Sequence, residues 1–230
     1  MDPSRGAHPV PAIEKRARKR REGPRSPLLR ERIVATALAL VDHEGLKALS
    51  MRRLGAELGV DPMAVYYHIP NKEALFDAIV EAVMAEIDLS ADHSADPPVE
   101  RVVRAARAYR DVLLAHSHAL PIVLARGPAT AAALRPVELL TGILRDAGLP
   151  PAEAFSGMNT IAAAVRGFVG MMASGGEHVP GPDEIEALDR SLPAGEFPHL
   201  REAIPFACEF GGRSFEFGIR ALARGLIAGP

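Results

Sequence analysis

Residues 49–68, LSMRRLGAELGVDPMAVYYH, constrain this chain more than any other stretch, because their punctuation divides them into two short helices with a tight turn between. Ser50 is placed to cap the first helix, its hydroxyl accepting from a free backbone N–H. Leu54 and Leu58 are four residues apart and share a face. Gly59 follows at the C′ position, where a left-handed backbone is inexpensive only for glycine. Val60 reads as a buried pin in the turn. Asp61 is the second cap, and Pro62 stands at the first helical position, where its missing N–H costs nothing. Val65 and Ile69 then face back toward Leu54 and Leu58. Two such helices have the shape of a helix-turn-helix, whose second helix enters a DNA major groove. Spacing alone also fits an ordinary pair of core helices, so the neighbours matter.

A preceding amphipathic helix is expected from Leu28 to Glu44, capped by Ser26-Pro27, ended by Gly45, with Leu29, Ile33, Ala37, Leu40 and Val41 as its apolar stripe. Pro70-Asn71 closes the second helix of the pair, and Asn71 caps another predicted to run from Lys72 to Asp88. Tyr66-Tyr67-His68 and then Lys72 put hydrogen-bond donors beside the groove-facing end.

The run Gly45-Leu46, Leu49-Ser50-Met51-Arg52, Leu54, Leu58-Gly59-Val60, Tyr66-Tyr67-His68-Ile69 and Asn71-Lys72-Glu73-Ala74-Leu75 resembles the N-terminal domain of TetR-family transcriptional repressors. A weaker resemblance, to the subgroup nearest the tetracycline repressor, extends through Tyr109-Arg110, Leu113-Leu114-Ala115-His116, Arg126-Gly127-Pro128, Phe215-Glu216-Phe217-Gly218, Leu222 and Gly225-Leu226.

The 230 residues are 48% apolar and 24% charged, suiting a soluble protein with a sizeable core. There is no run of eighteen apolar residues and no signal-peptide pattern, so neither membrane insertion nor export is indicated. One cysteine, Cys208, excludes an intramolecular disulfide, and a cytoplasmic setting is the simplest expectation. The net charge of −2 hides an asymmetry: residues 1–32 hold ten Lys/Arg against four acids, so +6 at that end is balanced by −8 over the rest. Polyanion binding therefore belongs to the N-terminal end. Residues 1–25 lack apolar periodicity and read as a disordered basic arm, in which Lys15–Arg21 is either a solvated tail or a segment that tracks phosphates or enters a minor groove.

Residues 89–98 read as a loop. Helical patterns resume over Val99–His116, Leu120–Ala125, Ala129–Ala147 (ended by Gly148), Ala152–Ser174 (ended by Gly175-Gly176), Asp183–Ser191 and Arg201–Ile227, the last with an irregular start and Gly211-Gly212 as a weak point. Nothing alternates with period two for long, so the fold class is all-α without a sheet. The domain division is 1–25 arm, 26–72 helix-turn-helix domain and 73–230 ligand-binding and dimerisation domain.

Enzyme signatures such as a nucleophile elbow, a phosphate loop or His-Glu-x-x-His are missing. His116 with His118, and Asp88 with Asp92 and His93, are loose sets whose ordinary fate is solvation, so no metal and no cofactor are expected. Cys208, between Phe206 and Phe210, reads as a buried inert thiol. The helix 152–174 is apolar on more than one face through Phe155, Met158, Ile161, Ala162, Val165, Phe168, Val169 and Met172, while Ala162–Ala164, Gly167 and Gly170 allow close helix approach. The last helix carries Phe206, Phe210, Phe215, Phe217, Leu222 and Leu226. A monomeric core would account for both. The resemblance instead implies that they pair across a twofold axis as a four-helix dimer interface, and a homodimer also supplies the contacts that one short recognition helix lacks.

On this reading two recognition helices enter successive major grooves of a palindromic double-stranded operator. Pro62, Met63 and Ala64 are the expected exposed first-turn residues. None is Arg, Asn or Gln, which leaves thymine-methyl contacts to Met63 and Ala64 and bidentate guanine readout to Arg52, whose family counterpart reaches the groove. Tyr66 and His68 would bond phosphates, with Tyr67 partly packing, and Lys72 is the clearest phosphate contact.

The resemblance further implies a small-molecule pocket in each C-terminal domain, joined to the DNA heads by the helix from Lys72, with Tyr109, Leu113, Val123, Arg126, Leu140, Met158, Ala162 and Phe168 as lining positions. Asp88, Val123 and Ala105 stand where the tetracycline repressor has a drug-contacting histidine, a magnesium-binding histidine and a drug-contacting asparagine, while the aromatic position is kept as Tyr109. An apolar effector without metal is therefore expected rather than a magnesium–tetracycline chelate. The alternatives are a DNA-binding regulator without a small-molecule ligand, acting as an activator or under a partner's control, and an enzyme with an accessory helix-turn-helix, which lacks a nucleophile–base constellation.

Overall fold

The computed structural model describes residues 29–90, 95–127, 129–173, 181–193, 195–209 and 212–229. Eleven α-helices and three short 3-10 turns make up their regular structure, with no strand among the described residues. The basic arm 1–25, the expected cap Ser26-Pro27, and Asp92, His93 and Phe210 lie outside the described residues.

The first four helices form the head: α1 (Arg30–Glu44), α2 (Met51–Leu58), α3 (Pro62–His68) and α4 (Lys72–Ala85). Their starts follow from short polar side chains. The Ser50 hydroxyl accepts from the Arg53 N–H at 3.1 Å, Asp61 Oδ1 from the Met63 N–H at 2.8 Å, and Asn71 Oδ1 from the Ala74 N–H at 2.8 Å, each satisfying a donor that has no intrahelical acceptor. Gly59 ends α2 at φ 69°, ψ 28°, in the left-handed region. The turn is compact because Gly55 has no side chain: a Cβ there would lie 3.1 Å from the Val60 carbonyl oxygen and 3.2 Å from the Pro62 nitrogen. Leu54, Leu58, Val65 and Ile69 are buried as their spacing predicts, whereas Val60 is only half-buried.

Two expectations for the head change. Leu29 is exposed, because α1 starts at Arg30 and Leu29 occupies an extended cap position rather than the apolar stripe. Helix α4 stops at Ala85, short of Asp88, whose carboxylate accepts from the Ser90 N–H at 2.9 Å and hydroxyl at 2.6 Å, a local turn that competes with helix continuation.

The body follows as α5 (Pro98–Ala115), α6 (Leu120–Ala125), α7 (Ala131–Asp146), α8 (Pro151–Met171), α9 (Pro182–Ser191), α10 (Pro198–Ala203) and α11 (Gly212–Ala228). The single last helix expected over 201–227 is instead broken into α10, a 3-10 turn at Ile204–Glu209 and α11. Pro205 has no N–H to donate to the preceding turn, so the α-helical ladder stops there, and α11 begins at Gly212. Helix α5 is the central element, packing on α11, α8 and α7, while α4 packs on α1 on one side and α7 on the other. One continuous apolar core runs from Ile33, Leu54 and Ile79 in the head to Leu113, Ile143, Leu144 and Ile161 in the body. Each such side chain contributes about 1.5–3 kcal/mol relative to exposure. The buried Arg101 is paired with Asp146 at 3.2 Å, tying α5 to the end of α7.

Candidate nucleic-acid interface and internal cavity

The two adjacent arginines of α2 have different surroundings. Arg53 is held by Glu44 at 2.7 Å and Glu57 at 3.6 Å. Arg52 is exposed and makes no ion pair among the described residues, so its guanidinium is available to an incoming acceptor. At the start of α3, Met63 is 70% exposed, but Pro62 and Ala64 are half-buried, which corrects the expectation of three exposed residues. Pro62 is drawn in because its backbone abuts Gly55.

The aromatic pair is also corrected. Tyr67 does not pack on the core: it is 88% exposed and meets the half-buried His68 ring edge to face, at 5.3 Å between centroids. Tyr66 is exposed as well. Lys72 opens α4, where free N–H groups and the helix dipole favour an anion, and its ammonium lies 5.3 Å over the Phe76 ring. The exposed Arg52, Met63, Tyr66, Tyr67 and Lys72 therefore come from three consecutive short elements, all fixed by the same small core.

The body contains a cavity of about 290 Å³ between α4, α5, α6, α7 and α8. Of the positions expected to line a ligand, Tyr109, Val123, Arg126, Leu140, Met158 and Ala162 are in its wall. Leu113 and Phe168 are not: Leu113 is fully buried in the core, and Phe168 turns toward Phe215, with ring centroids 4.9 Å apart. Sequence reasoning missed Val80 and Met84 of α4, Asn159 and Arg166 of α8, and Phe155 at half-exposure. Arg166 is seven residues beyond Asn159, a heptad spacing that could have flagged them together. Burial pushes the Tyr109 hydroxyl above its ordinary value, and the neighbouring Arg166 opposes this only in part.

Arg126, just past α6, reaches from the cavity wall to α4, pairing with both Glu73 and Asp77, with its guanidinium 5.4 Å from the Phe76 ring centroid. The opposite end of α4 is tied too: His116, at the end of α5, bridges Asp42 of α1 and Glu86. Helix α4 thus contributes Lys72 to the exposed surface and Val80 and Met84 to the cavity. Among the described residues no group of three His, Cys, Asp or Glu side chains is placed to hold a metal ion, and Asp88 stands outside the cavity wall. No helix among them is long and apolar enough to cross a membrane. The Cys208 side chain lies outside the described set, and its neighbour Phe206 is exposed.

Two family models match separate stretches of the chain. Residues 33–79 match the family model of bacterial regulatory proteins of the tetR family, and residues 95–229 match that of the tetracyclin repressor-like C-terminal domain. The class A tetracycline repressor protein from transposon 1721 of Escherichia coli is 30% identical over 196 residues, covering 84% of this chain and 88% of that one. The TetR-family protein ActR of Streptomyces coelicolor, solved in complex with (S)-DNPA, superimposes with a TM-score of 0.78 at 30% identity, covering 89% of this chain and 100% of that chain. BioQ, solved with its double-stranded DNA operator, has a TM-score of 0.64 at 26% identity, covering 88% and 100%.

Proposed function

The chain belongs to the TetR family of bacterial regulatory proteins, and from that premise we propose that it is a homodimeric transcriptional repressor that releases a palindromic operator when a small apolar molecule fills its body cavity. The observation that carries this is the dual position of α4, which presents Lys72 at the exposed end of the head and Val80 and Met84 to the cavity. A ligand filling that space bears directly on the helix that carries the head.

Residues 26–72 serve as the DNA-binding domain and 73–230 as the ligand-binding and dimerisation domain. Arg52 reads a base edge, Met63 and Ala64 lie against thymine methyls with Pro62 setting their backbone, and Tyr66, Tyr67, His68 and Lys72 bond phosphates. The exposure of Tyr67 supports moving it from packing to phosphate contact. Tyr109, Val123, Arg126, Leu140, Met158 and Ala162 hold the effector. Release follows from differential affinity: the effector favours a state in which the two heads are wrongly spaced for successive major grooves. ActR bound to a small molecule and BioQ bound to operator support the two halves of this reading. An enzymatic role finds no support in the site, whose polar groups include no nucleophile beside a base.

Dimerisation rests on a face that a single chain leaves bare. Ser156, Thr160, Ala163, Gly167 and Met171 form an exposed stripe along α8, and Phe217 of α11 is 76% exposed. Small residues of this kind allow helices from two subunits to approach closely, and the aromatic ring supplies apolar area.

The test is selection of operators from a randomised duplex pool with the full chain, followed by release assays with polycyclic aromatic compounds. The expected result is a palindrome with half-sites about one helical turn apart or slightly more, and release by compounds that also protect the body thermally. Asymmetric selected sites, or tight cavity binding that leaves operator affinity unchanged, would overturn it.

A further inference from the structure

The cavity wall contains two arginines and no carboxylate. Arg126 is already neutralised, being paired with Glu73 and Asp77. Arg166 is not. It projects from the C-terminal third of α8, is half-buried, and has no acidic partner among the described residues; the polar group beside it is the Tyr109 hydroxyl. Asn159, two turns nearer the start of α8, also borders the wall, but its amide donates to the Phe155 carbonyl oxygen at 3.0 Å and faces away from Arg166. The surfaces facing it are apolar, among them Val137, Leu140, Met158, Ala162 and Val165.

A guanidinium drawn part way out of water without a counter-ion is unfavourable, and such groups are ordinarily paired. A neutral phenol satisfies one donor and leaves the charge. Five N–H donors in a rigid fork, next to a hydroxyl that can also donate, make a receptor for a planar anion.

We propose that Arg166 and Tyr109 form an anion-receiving end of the cavity, and that the effector is an apolar molecule carrying one acidic group, a carboxylate or its like, which they bind. The inference rests on the cavity being the effector site, and it narrows the ligand from apolar molecules in general to amphiphilic monoanions. The apolar body lies against Met158, Ala162 and Leu140 while the acid replaces the missing counter-ion of Arg166.

Two fluorescent probes with the same ring system test this. 8-Anilinonaphthalene-1-sulfonate carries an acid group, and N-phenyl-1-naphthylamine lacks it. Both are titrated into the full-length protein, into Arg166→Met and Arg166→Lys, and into Tyr109→Phe. The expected result is a loss of about tenfold or more in affinity for the sulfonate in Arg166→Met. A smaller loss for the sulfonate is expected in Tyr109→Phe, partial recovery in Arg166→Lys, and little change for the neutral probe throughout. Ala162→Phe, which fills the cavity, is expected to weaken both probes. Unchanged sulfonate affinity in Arg166→Met, or equal losses for both probes, would overturn the anion site and leave the cavity reading intact. If Ala162→Phe affects neither probe, or neither binds the parent protein, the cavity reading falls as well. Should Arg166→Met fail to fold, Arg166→Lys and Tyr109→Phe give the same discrimination.

Discussion

His116 Nδ1 lies 2.8 Å from Asp42 Oδ2, and the opposite ring nitrogen lies 2.9 Å from Glu86 Oε2, so one imidazole at the end of α5 joins α1 to the end of α4. His118 adds a contact to the same place, its Nδ1 lying 2.8 Å from the Asp42 carbonyl oxygen. Burial pulls the His116 ring below its ordinary value of 6.5, but the hydrogen bonds to Glu86 and Asp42 outweigh it, and the net shift is upward. A histidine raised in the folded state contributes stability that is fully present below the unfolded value and lost as pH rises through the folded one. The difference in Tm between the parent protein and His116→Gln is therefore expected to be largest near pH 6 and to shrink toward pH 8.5. A difference that stays constant or grows with pH would show that the ring acts by packing alone.

Lys72 and Arg52 should separate in binding titrations on operators drawn from a random pool. Lys72→Ala is expected to weaken all sequences alike and to reduce the salt slope by about 0.9 for each phosphate that the ammonium neutralises. Arg52→Ala is expected to cost about 1–3 kcal/mol on the preferred sequence and to relax choice at one base pair per half-site. Uniform weakening by Arg52→Ala would move that residue from base readout to phosphate binding. Arg53, already engaged by Glu44 and Glu57, is expected to matter less.

The legible part of this molecule is local. Ser50, Asp61 and Asn71 cap their helices because each bond spans two or three residues, and a sequence displays that spacing directly. The apolar face of Leu54, Leu58, Val65 and Ile69 follows from helical period. The cavity is only half legible, since periodicity marks a side chain as inward without saying whether it meets a wall or a void. Leu113 and Met158 look alike in sequence, yet one is core and the other lines the cavity. Arg166 escapes a reading by sequence because its significance lies in which acids pair elsewhere: among the described residues, Glu100, Asp111, Asp146 and Glu216 on the neighbouring helices are all engaged by other arginines. Tyr67 escapes it because α3 is too short for its period to settle which ring packs.

Gly55 gives a test in which two effects oppose. Replacing it with alanine gains about 1 kcal/mol of helix propensity. The new Cβ, however, would sit 3.1–3.2 Å from the Val60 carbonyl oxygen and the Pro62 nitrogen and Cα, backbone atoms in a turn held by Gly59 and the Asp61 cap. Such crowding costs about 1–3 kcal/mol and shifts α3 relative to α2. Gly55→Ala is expected to be net destabilising in urea unfolding and to lose operator affinity beyond the stability loss. A stabilised variant with full DNA binding would mean that the turn gives way easily.

Arg126 couples the cavity wall to α4 through Glu73 and Asp77, and Glu73 lies one residue from Lys72. Both carboxylates are largely exposed, so the cluster contributes little to stability, about 1 kcal/mol or less. Its effect should appear in the response instead. Arg126→Met is expected to leave Tm nearly unchanged, and its effect on effector affinity is measured separately from its effect on release, because allosteric coupling and site affinity are separate quantities. The ratio of operator affinities with and without a releasing compound should fall toward one. An unaltered ratio would assign the coupling to the apolar side chains of Val80 and Met84 alone.

The last test concerns assembly. Phe217 is the most exposed aromatic ring of the described body, and the α8 stripe through Ala163 and Gly167 offers no side chain large enough to shield a partner helix. Phe217→Glu and Ala163→Glu each place a charge where a second subunit would have to desolvate it twice, once from each copy. Each is expected to shift the protein from dimer to monomer in sedimentation velocity at micromolar concentration. Operator affinity should fall by more than the removal of a single base-reading side chain would cost, since a monomer presents one recognition helix to a two-part site. Leu188→Glu, at an exposed position on α9, serves as the control because it adds the same charge on a different helix. If all three variants remain dimeric, the subunits meet elsewhere. If all three dissociate, net charge rather than this face governs assembly.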